Sequence, residues 1–231
     1  MNIKELKLPL LKRIKVAEDT YEIRLAFPKK EGFDYLPGQY ITIRLEEKIK
    51  DGKGPLRAFS LSSSPTNKEY LSTCFRISKE PSIFKEKIMK LKLNTLLILR
   101  GPLGRFSLPK EKNRKVVMIA GGVGITPFMS MLTFLTETSD AQKVTLIYTN
   151  KTEESRAYKK ELKDLEIKNK NLKVINRNKR VDKIFLEKYA QDKNSLFYIC
   201  GTPQMVVSIK MFLQDLGIRE ENILFEKFSG Y

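Results

Sequence analysis

The 231-residue chain has no histidine. It therefore lacks the side chain most used for proton transfer near neutral pH, so serine–histidine and cysteine–histidine catalysis and most zinc sites are excluded. Only two cysteines occur, Cys74 and Cys200. They make no disulfide framework, suit a reducing cytoplasm, and are too few to hold an iron–sulfur cluster. Apolar residues form 41% of the chain but never a run long enough to span a membrane, and Met1 to Leu11 lacks a signal-peptide pattern. These features lead to the expectation of a cytoplasmic protein without a membrane span. Acidic residues are also scarce, 27 against 44 lysines and arginines, for a formal net charge of +17. Such an excess either attracts an acidic partner or forms a solvated lysine surface. The lysines are scattered, and no arginine-rich patch interleaved with aromatics appears, which favours the solvated surface and speaks against nucleic acid.

What is present divides into two periods. From Leu10 to about Leu108, short alternating runs (Leu11–Val16, Tyr21–Phe27, Gln39–Leu45, Leu56–Ser60, Tyr70–Ile77, Thr95–Leu99) are separated by turns. This pattern predicts an antiparallel barrel or sandwich. One helix interrupts it, with Ser82 as cap and Ile83, Phe84, Ile88 and Leu91 at helical spacing. A further strand is expected around Phe106, and the charged segment Lys110 to Lys115 reads as a linker. Beyond it, apolar strands (Val116–Ala120, Val144–Tyr148, Leu172–Ile175, Leu196–Cys200) alternate with helical patterns (Thr126–Leu135, Glu154–Leu165, Val181–Tyr189, Pro203–Leu216), and Asn222 to Phe228 forms a last strand. Strand–helix alternation predicts a parallel α/β sheet. The expected domains are residues 1–111 and 112–231.

One stretch carries the clearest chemistry. Val116 to Ala120 reads as a strand buried on both faces, Gly121, Gly122 and Gly124 as a tight turn, and Thr126-Pro127 as a helix cap followed by a first-turn proline. Such a unit aims backbone N–H groups and a positive helix end at one point, an anion site suited to a pyrophosphate. The spacing G-G-x-G-x-T-P differs from G-x-G-x-x-G, and no acidic residue stands at the distance that fingerprint requires. By itself the motif also admits a strand-to-helix turn with no ligand, the lesser of the two readings.

Three further segments accompany it: Arg57-Ala58-Phe59-Ser60-Leu61-Ser62-Ser63-Ser64-Pro65, Cys200-Gly201-Thr202-Pro203-Gln204-Met205, and Phe225-Glu226-Lys227-Phe228. Together and in this order they resemble the ferredoxin–NADP reductase family, along essentially the whole chain. The resemblance implies an antiparallel six-stranded β-barrel that binds FAD, followed by an α/β parallel-sheet domain that binds NADPH or NADH. Arg57 would hold the flavin diphosphate with a fixed cationic fork. Phe59 stands where the family usually has a tyrosine, so the ring is kept and its hydroxyl lost. Ser60 matches the serine that hydrogen-bonds flavin N5, and Ser62 and Ser63 match the form typical of FAD rather than FMN. Ser82, Ile83 and Phe84 resemble the helix start that holds the flavin pyrophosphate, with Pro81 in place of a frequent glycine. In the second domain, Gly122, Gly124, Thr126 and Gly201 would hold the nicotinamide dinucleotide. Cys200 would lie against nicotinamide C4, and Glu226 would polarise or relay protons. Phe228 or Tyr231 would stack on the flavin. Each also admits a structural role: a turn serine, a surface cation, a buried core cysteine.

Asn176-Arg177 occupies the place where NADPH-specific members carry a Ser/Arg pair, and Lys179 and Arg180 follow. Arg177 is thus expected to bind the 2′-phosphate. The implied activity is hydride transfer from nicotinamide to flavin N5, then single-electron delivery to a separate acceptor, for which a small acidic ferredoxin or flavodoxin suits the charge. The alternative that the resemblance implies for this chain is a reductase that serves an oxygenase or reduces free flavin or ferric chelates. A non-catalytic basic binding module is the reading from a different class.

Overall fold

The computed structural model describes residues 2–30, 32–46, 49, 52 and 54–228. Its first half contains β1 (Lys4–Ala17), β2 (Thr20–Ala26), β3 (Tyr40–Arg44), β4 (Leu56–Ser60), β5 (Tyr70–Arg76), α1 (Ile83–Lys90) and β6 (Leu96–Leu103). The strands pair antiparallel in the order β4-β3-β6-β1-β2-β5. The two edge strands then meet. Leu61, just past β4, bridges to Thr73 of β5, and Ser62 N donates to Ser72 O at 2.8 Å. Joining the edges leaves few unpaired strand borders and makes the expected six-stranded barrel. Leu10, Ile23, Ile41, Leu71 and Leu99 fill it, and α1 adds Phe84 and Ile88 to the same core.

β1 is longer than its alternation suggests because two neighbours share it. Lys4 to Pro9 pair with β6, and from Leu10 on the strand pairs with β2, with an irregularity between Leu10 and Lys12. β6 likewise runs on through Leu103, and no strand forms around Phe106. Phe106 instead packs its ring 5.7 Å from Phe128 and 5.4 Å from Tyr198, joining the two halves through apolar contact.

The second half contains β7 (Val116–Gly121), α2 (Thr126–Glu137), β8 (Val144–Thr149), α3 (Lys159–Lys168), β9 (Leu172–Arg177), α4 (Lys183–Glu187), β10 (Leu196–Gly201), α5 (Pro203–Asp215) and β11 (Ile223–Lys227). All five strands are parallel, in the order β11-β10-β7-β8-β9. Successive side chains along a strand point to opposite faces. Met118, Leu146 and Tyr198 pack beside α2 and α3 residues on one face, and Val117, Ile147 and Ile199 beside α4 and α5 residues on the other. The chain goes one way from β7 to β8 and the other way to β10. The crevice at their carboxyl ends is the topological switch point where open α/β sheets take ligands. No described helix is long and apolar enough to cross a membrane.

Three helix starts differ from expectation, that of α4 because Asp182 caps it and it begins at Lys183, not Val181. α3 begins at Lys159, not Glu154, because the preceding residues serve the other domain. Glu18 N donates to Glu154 O at 2.9 Å, and Tyr158, left-handed at φ 60°, donates its hydroxyl to Glu22 Oε2 at 2.8 Å. Thr126 is not a helix cap. Gly122 to Ile125 already forms a turn of 3₁₀ helix ahead of α2, and the Thr126 hydroxyl donates to Val123 O at 2.6 Å.

Candidate active site

On the barrel side, strand alternation turns Arg57 and Phe59 inward from β4. Arg57 donates to Gly54 O and Leu56 O, both at 2.7 Å, and its guanidinium stands 5.3 Å from the centre of the Phe84 ring. Phe59 packs 5.7 Å from Phe75 and 5.8 Å from Phe84. Ser62 Oγ pairs with Ser72 Oγ at 2.7 Å, and Ser63 Oγ lies 3.0 Å from Tyr35 Oη. These two serines lock the closing edge of the barrel. Ser63 O also accepts the Ser130 hydroxyl at 2.6 Å, tying the barrel to α2. Ser82 caps α1 as expected, accepting from Lys85 N at 3.4 Å. Phe84 is fully buried and Ile83 exposed. The α1 residue that borders the cleft is Lys85, whose pKa is lowered by desolvation and by the charge of Arg57.

On the α/β side, β11, β10 and β7 set Glu226, Cys200 and Ala120 level with one another. A Cβ on Gly124 would sit 2.2 Å from Cys200 O, so only glycine lets the 3₁₀ turn lie against the end of β10. Gly122 has φ 52° and open space around the position of its missing side chain. The first N–H groups of this turn have no helical acceptor, and Gly122 and Val123 line the cleft with them. Thr126 is fully buried. It shapes the turn from behind.

The two halves meet at Ser60, whose hydroxyl donates to Glu226 Oε2 at 3.0 Å although 166 residues separate them. Burial pushes the Glu226 carboxyl above the usual carboxylate range, and the Ser60 bond opposes that shift. Cys200 is fully buried in the apolar layer. Burial, then the neighbouring Glu226, drives its thiol well above the ordinary range, so it is no thiolate nucleophile. Phe228 N donates to Gly201 O at 2.8 Å, which fixes the Phe228 ring at the cleft. Tyr231 lies outside the described residues.

Between these walls is a cleft of about 1250 Å³ that takes in Arg57, Phe59, Ser60, Gly122, Glu226 and Phe228. Its second arm runs past the ends of β8 and β9 to Asn150, Ser155, Asn178, Lys179 and Arg180. Arg177 is not among the lining residues. Its guanidinium stacks 3.6 Å from the Phe185 ring centre, lies 3.9 Å from Asp182 Oδ2, and donates to Arg180 O at 3.4 Å. The described lining holds seven cations and one carboxylate, Glu226. That imbalance, the open glycine cradle and the aromatic walls suit two polyanionic dinucleotides, so FAD and NAD(P)H fit the residues present. Asn150 and Asn178 were not singled out from the sequence. The signal that finds the two asparagines is their place just beyond the carboxyl ends of β8 and β9, where such sheets bind ligands.

Comparison with known proteins agrees with this geometry. Residues 7–108 match the oxidoreductase FAD-binding domain and residues 118–211 the oxidoreductase NAD-binding domain. Flavohemoprotein A of Dictyostelium discoideum is 28% identical over 236 residues, covering 93% of this chain and 58% of that protein. NADH-cytochrome b5 reductase 1 of the same organism is 26% identical over 232 residues, covering 94% and 80%. A solved ferredoxin-NADP+ reductase from Plasmodium falciparum with 2'P-AMP superposes with a TM-score of 0.80 at 22% identity, covering 97% of each chain. The chain spans about half the length of the flavohemoproteins it matches.

Proposed function

The chain belongs to the ferredoxin–NADP reductase family of two-domain oxidoreductases, and on that premise we propose that it is a FAD-dependent NAD(P)H reductase serving a separate electron acceptor. The observation that carries the reading is the Ser60–Glu226 hydrogen bond, because it joins the FAD-domain strand to the NAD-domain strand at the floor of one cleft. Bound FAD supplies hydride acceptance from nicotinamide and one-electron release. Residues 1–111 form the flavin half and 112–231 the nicotinamide half. Arg57 and Lys85, with Ser82, Ile83 and Phe84 behind them, form the cationic wall for the flavin diphosphate. Phe59 and Phe228 supply aromatic surface for the ring system, with Tyr231 as the other candidate, while Ser62 and Ser63 hold the barrel edge in shape.

Ser60 directs its hydroxyl proton onto Glu226 Oε2, which leaves its own oxygen free to accept. Glu226, held above its usual pKa by burial, is poised to keep or release a proton near the transferred hydride. Gly122 opens the cradle for the nicotinamide dinucleotide, with Gly124, Gly201 and the buried Thr126 and Cys200 supporting it from behind. NADPH is the favoured reductant, with Arg177 bracing the carbonyl of Arg180. The acceptor is a small acidic redox protein of the ferredoxin or flavodoxin kind, supported by the +17 charge, and the setting is the cytoplasm. A haem-protein acceptor is the second reading. It is supported by relatives named flavohemoprotein and cytochrome b5 reductase.

The test is anaerobic mixing of the FAD-loaded protein with NADPH or NADH while flavin absorbance is followed. Bleaching by either supports the reading. A protein that retains no FAD, or retains it without bleaching, refutes it.

A further inference from the structure

The segment 150–158 links β8 to α3 within the α/β half, yet the barrel decides its course. Two hydrogen bonds cross to the β1–β2 hairpin. Glu154 O accepts from Glu18 N at 2.9 Å, and the Tyr158 hydroxyl donates to Glu22 Oε2 at 2.8 Å. Apolar contact follows the same line. Val16 and Ala17 of β1 and Cys74 of β5 pack in one cluster with Ala157 and Tyr158.

Tyr158 and Glu22 are only 4% and 5% exposed. A buried carboxylate is tolerated when its charge is balanced and its oxygens are paired. Glu22 meets both conditions. Arg24 Nε donates to Oε1 at 2.7 Å, with its guanidinium 4.1 Å above the Tyr70 ring, and Tyr158 takes Oε2. Tyr158 in turn holds a φ of 60°, a left-handed backbone that a bulky side chain avoids. Such a conformation persists only where its surroundings over-determine it. Glycine would take this φ without strain, and phenylalanine would fill the same space. What tyrosine adds is a fixed location for the segment, referred to the barrel. That location borders the cleft: between the two anchors, Ser155 and Ala157 are part of its lining.

We propose that Tyr158 is a positioning residue for the nicotinamide dinucleotide: through Glu22, the flavin half holds residues 154–157 where that cofactor binds. Affinity for NADH and NADPH alike then depends on a bond that neither cofactor touches. The inference rests on the cleft being a nicotinamide-dinucleotide site, and it concerns groups common to both dinucleotides. The flavin wall at Arg57 and Lys85 and the hydride-transfer end at Ser60 and Glu226 are held by other contacts, so neither shares this dependence.

The test is stopped-flow bleaching of the FAD-loaded protein over a range of NADH and, separately, NADPH concentrations, which separates affinity from limiting rate. Tyr158→Phe keeps the ring and removes the hydroxyl. It should weaken both dinucleotides by about tenfold, the lower end of what a hydrogen bond to a charged group supplies. Limiting rate and FAD content should not change. Glu22→Gln keeps the volume and an acceptor oxygen but not the charge, so it should weaken both dinucleotides by a smaller factor. Added to Tyr158→Phe it should weaken them no further, because the bond is already gone. A merely structural bond would lower the melting temperature and leave both affinities at the wild-type value, and that result overturns the proposal. So do a loss confined to one dinucleotide, a fall in limiting rate alone, loss of FAD in place of dinucleotide affinity, or fully additive losses in the double variant. Should Tyr158→Phe not fold, Glu22→Gln decides, and wild-type affinities in it overturn the proposal. Wild-type protein that holds FAD but is bleached by neither dinucleotide overturns the dinucleotide reading itself.

Discussion

Replacing Gly124 by alanine tests how the nucleotide turn is seated. The added methyl would lie 2.2 Å from Cys200 O, 2.5 Å from Cys200 C and 2.9 Å from Gly201 N. Carbon–oxygen contacts settle near 3.3 Å, so the turn must lift from β10 by roughly 1 Å. The obstacle is the backbone of a central strand, which cannot rotate away as a side chain would. The cost therefore lies at the upper end of overpacking, about 3 kcal/mol. In a chain of this size that lowers the melting temperature by on the order of 10 °C. The same lift moves the N–H groups of Gly122 and Val123, and a misplacement near 1 Å can slow a positioned reaction by about a hundredfold. Gly122→Ala is the matched control. Its φ of 52° strains an alanine, but nothing lies within 4 Å of the new carbon, so only the left-handed penalty of about 1–2 kcal/mol applies. Calorimetry gives the midpoints, and stopped-flow bleaching of the flavin by NADPH gives the rates. FAD content should be unchanged in both, because the barrel has its own core. A Gly124→Ala protein with a wild-type midpoint and rate, or a Gly122→Ala protein with the lower midpoint of the two, refutes the reasoning.

Glu226 supplies a pH test: burial favours its neutral form, so the folded state keeps a proton that the unfolded state loses. The stability it confers is full below the ordinary carboxylate range and lost as pH rises through the raised value. Glu226→Gln should flatten that decline in melting temperature, and an unchanged slope would assign it to other groups. Cys200→Ser places a hydroxyl among apolar neighbours. An unpaired buried hydroxyl costs about 1–3 kcal/mol, so the midpoint should fall; an unchanged rate of flavin bleaching would mean that the thiol plays no part beyond packing. If the positive surface steers an acidic acceptor, reduction of ferredoxin or flavodoxin should slow as salt rises towards physiological strength, where screening acts within about 8 Å. Reduction of a small neutral acceptor should change little, and equal salt dependence for both would return the charge to the solvated surface.

The sequence by itself determined the order of the two halves, the antiparallel and parallel periods, the Ser82 cap and the glycine turn after β7. These follow from local rules: side-chain alternation, the hydroxyl at a helix start and the freedom of glycine. Tertiary structure decided what such rules cannot reach. Tyr158 leaves the helical pattern because its hydroxyl finds Glu22 in the other domain. Thr126 gives up capping because the 3₁₀ turn before it supplies an acceptor in Val123 O. Arg177, attractive by position, is drawn onto Phe185 and away from the cleft lining. Ser60 and Glu226 meet across 166 residues only once the barrel and the sheet have packed. A partner so remote in sequence is chosen by packing, because local periodicity reports which face a side chain takes and not what the fold brings to meet it.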